Sequence, residues 1–492
     1  MTYNQSMLQA TSVLASAKAP FLACTDDMES KPEVNKRQHK RKLPNLSANI
    51  KLDLFALKFP PEIASHIFSL FMNEHDHEDF ALRRLPSPFI LGSVCNGWRQ
   101  LVLSTPQLWS TISFTLTKPR KWTRNEAFLQ FINDWLRRSR SLPLDLWVYD
   151  YGGNERPISQ AQYLPIIDAL NQHSGRWRTL HLSLRTPSFF GLFCGASPPS
   201  NLRSLQLKAC REPDLSTTFR MNSRPSLTHL TINTFSMLDL DIMWDSLKHL
   251  TLRVWTVNLE KCMEIMQQAP HLESFALSTY SDKVVSPLSK PIVRHMCLRK
   301  LTFFNCSVYS LRFFTEFLNL MEIPSLEEYY YESYEGDIVA DSVISLLNRS
   351  GGHLKVLHLE LDEKSPAMED INKLLNAVPY LQNFELGLRR PGPKTAFIMD
   401  DLFLQLSSSP PILDGGTPGL LPNLQSLTLY SGEGYKFDCI PDIFSWPHRK
   451  ILSLKVDGSR QIELDKDTSR KISKLIDQEF KIRILRDERS YF

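Results

Sequence analysis

The chain lacks closely spaced cysteine pairs. Its eight cysteines, Cys24, Cys95, Cys194, Cys210, Cys262, Cys297, Cys306 and Cys439, are scattered, with no C-x-x-C among them. That fits a reducing compartment, the cytoplasm or the nucleus, where thiols serve as small apolar side chains. No apolar run approaches the ~20 residues that cross a bilayer. Ala10–Cys24 is mildly apolar, but it has no basic flank and Lys18 interrupts it, so it is not read as a signal peptide. The sequons at Asn4, Asn45, Asn305 and Asn348 are then without consequence. Excess charge is also missing. Across 492 residues, 57 Lys and Arg stand against 53 Asp and Glu, and a net +4 does not argue for nucleic acid. Signatures of catalysis are absent too: no G-x-S-x-G, G-x-x-x-x-G-K-[ST], H-E-x-x-H or helix-opening G-x-G-x-x-G occurs. No enzyme, cofactor or metal is expected.

What is present is ordinary in bulk. Hydrophobic residues make up 42% and charged residues 22%, as in globular chains, and the length suits two to four domains. Residues 1–50 are polar and aperiodic, and are expected to form a disordered basic tail. The run Lys36–Lys42 within it reads as a solvated tail, or as a nuclear import signal. His75 and His77 among carboxylates read as a solvated acidic run.

Phe59–Trp109 is the most structured stretch in pattern. Pro60 and Pro61 suit a first helical turn, where an N–H would have no partner. Ile63, Ile67, Leu70 and Phe71 then recur at helical spacing. Ser87-Pro88 starts a second helix whose apolar face is Leu91, Val94, Cys95, Trp98, Leu101 and Val102. Gly97 inside it should cost about 1 kcal/mol relative to alanine. Thr105–Trp109 closes the unit with Leu108 and Trp109.

These residues resemble an F-box. Pro60, Glu62, Ile63, Ile67, Phe68, Val94, Cys95, Trp98, Arg99, Leu108 and Trp109 match its pattern, in order, over about fifty residues. Phe59 replaces the usual leucine, and Asn73–Pro86 is longer than common. The resemblance implies a three-helix unit over residues 51–117. It implies docking to the Skp-type adaptor, and through it to a cullin, of a Skp–cullin–F-box ubiquitin ligase. Pro60, Pro61, Ile63, Ile67, Phe68, Leu91, Val94, Cys95, Trp98, Leu108 and Trp109 would make that contact.

Residues 118–176 read as transition strand–helix units. Ile112, Phe114 and Leu116 alternate just before them. Arg124–Arg138 has helical period, Leu142–Val148 alternates again, and Ala161–His173 is a further helix. From Trp177 a unit apolar-x-x-apolar-x-apolar repeats. Its first positions are Trp177, Leu202, Leu227, Leu247, Leu272, Leu298, Leu326, Leu354, Leu381 and Leu424, and a degraded copy holds Leu452 and Leu454. Successive spacings are 25, 25, 20, 25, 26, 28, 28, 27 and 43, mostly within the ~20–29 of leucine-rich repeats. The third position past the strand is Cys210 and Cys306 in two copies, and Phe235, Trp255 or Tyr280 in others. Helices are expected at Leu259–Gln268, Leu311–Met321, Ile338–Asn348 and Met368–Ala377. The long spacing marks a Pro- and Gly-rich insertion, 389–421, around one helix at Ile398–Leu406. The array is expected to run over 177–460. A cap, Thr468–Ile482, within 461–492 would follow it.

The expected fold is therefore α/β: an N-terminal three-helix F-box followed by an irregular leucine-rich-repeat solenoid with a parallel sheet on its concave face. Overall the layout is similar to the large F-box families of mushroom-forming fungi. In each unit the residues between the leucines face away from the core. The first half of that face carries Lys208, Arg253 and Lys300. The later part carries Glu328, Glu332, Glu360 and Glu385, with His358 among them. Phe304, Tyr330 and Tyr430 are expected as aromatic anchors. His229 and His249 fall in equivalent positions and read as exposed polar neighbours. The expected role is a substrate receptor holding an unknown protein on this face, with no nucleic-acid or membrane partner. A scaffold outside ubiquitin transfer and an enzyme with a site in 389–421 are the other readings.

Overall fold

The computed structural model describes residues 60–73, 88–116, 125–150, 163–185, 187–209, 218–236, 239–280, 291–333, 338–362, 368–389, 393–408, 419–431, 437–458, 465–486 and 489–490. The basic tail and the His75/His77 run lie outside these. The chain divides into two compact units, residues 1–113 with 126–144, and residues 114–125 with 145–492.

In the first unit, α1 (Pro61–Asn73) is followed by α2 (Pro88–Gly92), α3 (Asn96–Ser104), a 3-10 turn at Pro106–Trp109, and α4 (Asn125–Arg138). The expected three-helix unit is not what forms. The single second helix is broken into α2 and α3, and the third element is only a 3-10 turn. Gly92 ends α2, as a poor helix former should. Cys95 then leaves the helix in extended conformation, and its Sγ accepts the Trp98 N–H at 3.4 Å. A thiol caps α3 where a hydroxyl is commoner. The core is aromatic. Phe68 packs on Trp98 with ring centres 4.8 Å apart, and Trp109 meets Trp135 at 4.9 Å. The Trp109 indole N–H donates to the Val102 carbonyl at 2.9 Å, which satisfies its buried polar end.

The strands of the main sheet are β1 (Thr111–Thr115), β2 (Leu144–Tyr149), β3 (Trp177–Leu184), β4 (Ser204–Ala209), β5 (His229–Ser236), β6 (His249–Thr256), β7 (Ser274–Ser278) and β8 (Lys300–Cys306). They continue with β9 (Glu328–Ser333), β10 (Val356–Asp362), β11 (Asn383–Arg389), β12 (Ser426–Ser431), β13 (Ser453–Gly458), β14 (Lys481–Arg486) and β15 (Arg489–Ser490). All 15 stand in chain order in one sheet. From β3 to β14 the pairing is parallel, and β15 folds back antiparallel on β14.

Register follows the repeat. Leu180, Leu205, Leu230, Leu250, Phe275, Leu301, Tyr329, Leu357, Phe384, Leu427, Leu454 and Ile482 are partnered strand to strand in one row. None is more than 5% exposed. The row two residues on, from Leu182 to Ile484, is fully buried. Burying each such side chain stabilises by about 1.5–3 kcal/mol. Parallel strands need crossovers, and helices supply several of them. These include α5 (Leu164–Asn171), α6 (Leu259–Gln268), α7 (Leu311–Asn319), α8 (Ala340–Ser350) and α9 (Met368–Asn376). Helices α7, α8 and α9 pack in series.

Two later expectations change. The helix in the insertion is longer than its sequence pattern suggests, α10 (Pro393–Ser407). After it, Arg449 is fully buried and donates to the carbonyls of Leu420 and Leu421, the latter at 2.7 Å. Burial pushes its pKa down to about 10. The sheet also outruns the expected end. Past the short α11 (Ile440–Ile443), α12 covers Lys466–Asp477 only, and Glu479 takes a left-handed φ of 69°. Phe480 and Ile482, expected on the helix, lead into β14 instead. None of the helices in the described residues is long and apolar enough to cross a membrane.

Candidate interaction surfaces

The first unit leaves apolar side chains in water. Along α1, Ile63, Ile67 and Leu70 follow at i, i+4 and i+7 and so share one stripe. Ile63 is 46% and Leu70 40% exposed, and Ile67 is half-buried. Pro60 and Pro61 are exposed at its start. Phe89 and Ile90 of α2 and Leu103 of α3 are also exposed, and sequence reasoning missed all three. The other face of α1 buries Ala64 and Phe68.

This geometry sorts the expected contact residues. Phe68, Leu91, Trp98, Leu108 and Trp109 are core and offer no docking surface. Val94 and Cys95 are half-buried at the break between α2 and α3. Pro60, Pro61, Ile63 and Ile67 stay available. A motif match cannot separate buried from exposed apolar residues, because both halves of an amphipathic helix carry the pattern.

In the second unit the sheet face opposite the leucines holds the expected polar rows. Lys208, Lys300, Glu328, Tyr330, Glu332, His358 and Tyr430 are half-buried there, and Arg253 is exposed. Parallel register puts Lys300 beside Glu328, with a 3.4 Å ion pair. The Lys300 ammonium also lies 4.1 Å from the Tyr330 ring centre. Tyr330 stacks on His358 at 5.4 Å, and the His358 Nδ1 stands 3.0 Å from Glu385. Burial raises the Tyr330 pKa, while Lys300 opposes that shift. The boundary between basic and acidic halves is thus internally compensated.

Two expectations on this face need correction. Phe304 is only 8% exposed, and the Arg253 guanidinium lies 4.8 Å over its ring. The acidic part does not run to the end: β13 and β14 add Lys455, Lys481 and Arg483, and Lys455 sits 5.0 Å over the Tyr430 ring. Degraded repeats concealed those rungs. His229 and His249 do stack, at 4.4 Å, and burial lowers the His229 pKa, with His249 and Lys248 adding to it.

A groove of about 670 Å³ runs along the strand starts, lined by Arg299, Glu327, His353, Lys355, Tyr380 and Gln425 among others. Its residues precede the strands, outside the repeat motif, which is why the motif did not reveal it. No group of three or more His, Cys, Asp or Glu suited to a metal occurs among the described residues. Cys262 is fully enclosed, and burial pushes its thiol up to about 12, so it is no nucleophile. Compared with known proteins, the chain matches no family model and no curated protein.

Proposed function

We propose that the chain is a substrate-receptor adaptor of a Skp–cullin–F-box ubiquitin ligase. The N-terminal unit would dock the Skp-type adaptor. The face of the repeat sheet would hold a protein to be modified. Tethering makes the transfer effectively intramolecular, so the receptor needs no reaction centre of its own.

One observation carries the reading: the apolar stripe of α1 is uncovered in the segment that resembles an F-box. A small unit rarely leaves such a stripe in water without a partner. An adaptor interface of standard size would bury about 1,600 Å² in total.

The test uses surface positions, because replacing buried Trp98 or Leu108 would disturb the fold itself. Ile63→Asp combined with Leu70→Asp should abolish capture of a purified Skp-type adaptor and leave the circular dichroism spectrum unchanged. Undiminished capture would remove the docking proposal. Capture without ubiquitin transfer to any bound protein would favour a scaffold acting outside ubiquitin transfer.

A further inference from the structure

Three successive rungs end in exposed aromatic rings. Trp255 is the penultimate residue of β6, Tyr280 follows β7 and Tyr309 follows β8, at 53%, 41% and 65% exposure. The Trp255 and Tyr280 rings stack at 4.7 Å with planes 29° apart. Between them the Tyr280 N–H donates to the Trp255 carbonyl at 3.1 Å. Strand-like pairing therefore continues past the end of β7 and holds the two rings in register.

A basic patch adjoins them. Arg253 is two residues before Trp255 on β6, and so on the same face. Its guanidinium is held over Phe304. That ring is aimed there by a bulge, since Phe303 pairs with Tyr331 but the next pair is Cys306 with Ser333. Asn305 absorbs the extra length at φ 54°. In the same cross-strand row, Lys208 of β4 pairs with Asn233, and Asn233 with Arg253. Neither Lys208 nor Arg253 forms an ion pair among the described residues. A cation–π contact orients Arg253 without cancelling its charge. Two strand spacings separate these cations, about 10 Å, which three residues of extended peptide span.

We propose that this corner of the sheet grips an acidic, extended peptide segment of a partner protein. Trp255, Tyr280 and Tyr309 take an aromatic or proline side chain. Arg253 and Lys208 take carboxylates about three residues apart. Rigid Trp, Tyr and Arg side chains are the usual composition of binding hot spots. Positive charge that no described carboxylate cancels selects an acidic partner over a basic one. The assignment rests on the reading of the sheet as the cargo surface, and it names the cargo's chemistry.

Peptide display on the immobilised full-length chain, with random twelve-residue inserts, tests it. Enriched sequences should be acidic and carry an aromatic residue or proline. For a synthetic enriched peptide, fluorescence anisotropy should show at least about tenfold weaker binding to Trp255→Ala/Tyr280→Ala. Tyr309→Ser, in an exposed turn, should weaken binding without threatening the fold. Arg253→Glu should reverse the preference when lysines replace the peptide's acids. Capture of a Skp-type adaptor should be unaffected by all three, so failure here is separable from failure of docking. Enrichment of basic or featureless peptides, no enrichment, or binding indifferent to these substitutions would each overturn the proposal. So would retention of an oligosaccharide on a glycan array in place of any peptide.

Discussion

His295 shows how a single residue can be committed by its neighbours. It is 2% exposed. Its Nε2–H donates to the Ala269 carbonyl at 2.9 Å, and its Nδ1 accepts the Leu298 N–H at 3.2 Å. Only the neutral ring can do both, because a second proton would face the Leu298 N–H. Burial lowers its pKa and His271 adds to that, while its backbone hydrogen bonds oppose the shift. As pH falls through the ordinary value of 6.5, the unfolded chain takes up the proton first. The stability is therefore present above that value and lost on acidification. His173, His229 and His448 are shifted the same way, chiefly by burial. The urea midpoint should drop as pH is lowered from about 7.5 to about 5.5, and His295→Gln should flatten part of the slope. Gly195 is a second such position. Its φ is 73°, and an added Cβ would meet the Ser174 Cβ at 2.8 Å. Ser174 is pinned by two hydrogen bonds to the Ser197 backbone. Gly351 also has positive φ, 89°, but only the His353 ring lies near. In thermal melts Gly195→Ala should therefore cost more than Gly351→Ala, which carries only the conformational term of about 1 kcal/mol.

At the scale of elements, β8 differs from the strands around it. The left-handed Asn305 suits asparagine, which tolerates that region better than most residues. Asn305→Val puts a β-branched residue there and should destabilise by about 1–2 kcal/mol. Asn305→Gly should be tolerated in the same denaturation assay. If both behave alike, the bulge does not need that conformation. Helix positions were largely legible: residues 259–268 have the expected bounds, and 368–376 differ only at the end. The break between α2 and α3 was not, because apolar spacing runs unchanged across Gly92–Cys95. Only the cap at Cys95 marks where the helix restarts, and a thiol is a weak sequence signal for a cap.

At the scale of the whole molecule, successive strands are each other's main neighbours. Stability in such an array is close to a sum of rung and nearest-neighbour contributions. Ending the chain after Gln478 would remove β14 and β15 and strip β13 of one of its two hydrogen-bonding partners, leaving only β12. Leu454 and Val456, at most 1% exposed, would face water along an open parallel edge. That variant should aggregate, and light scattering during refolding should rise relative to the full chain. A monodisperse truncated protein would mean that β13 already ends the cooperative unit.

The period of the leucines was enough, without coordinates, to establish a parallel array in chain order. A residue that must point inward once per rung leaves the same spacing wherever it occurs. Tertiary structure decided what spacing cannot encode. It buried Trp98 and Trp109 while leaving Ile63 and Leu70 in water, although all four are large apolar side chains of the same short segment. It laid Arg253 over Phe304 across a bulge, and it brought Trp255 onto Tyr280, which lies 25 residues further along the chain. Periodicity reports which side of an element is apolar. Which apolar side chains are covered, and which charges are cancelled, depends on neighbours that only the folded chain supplies.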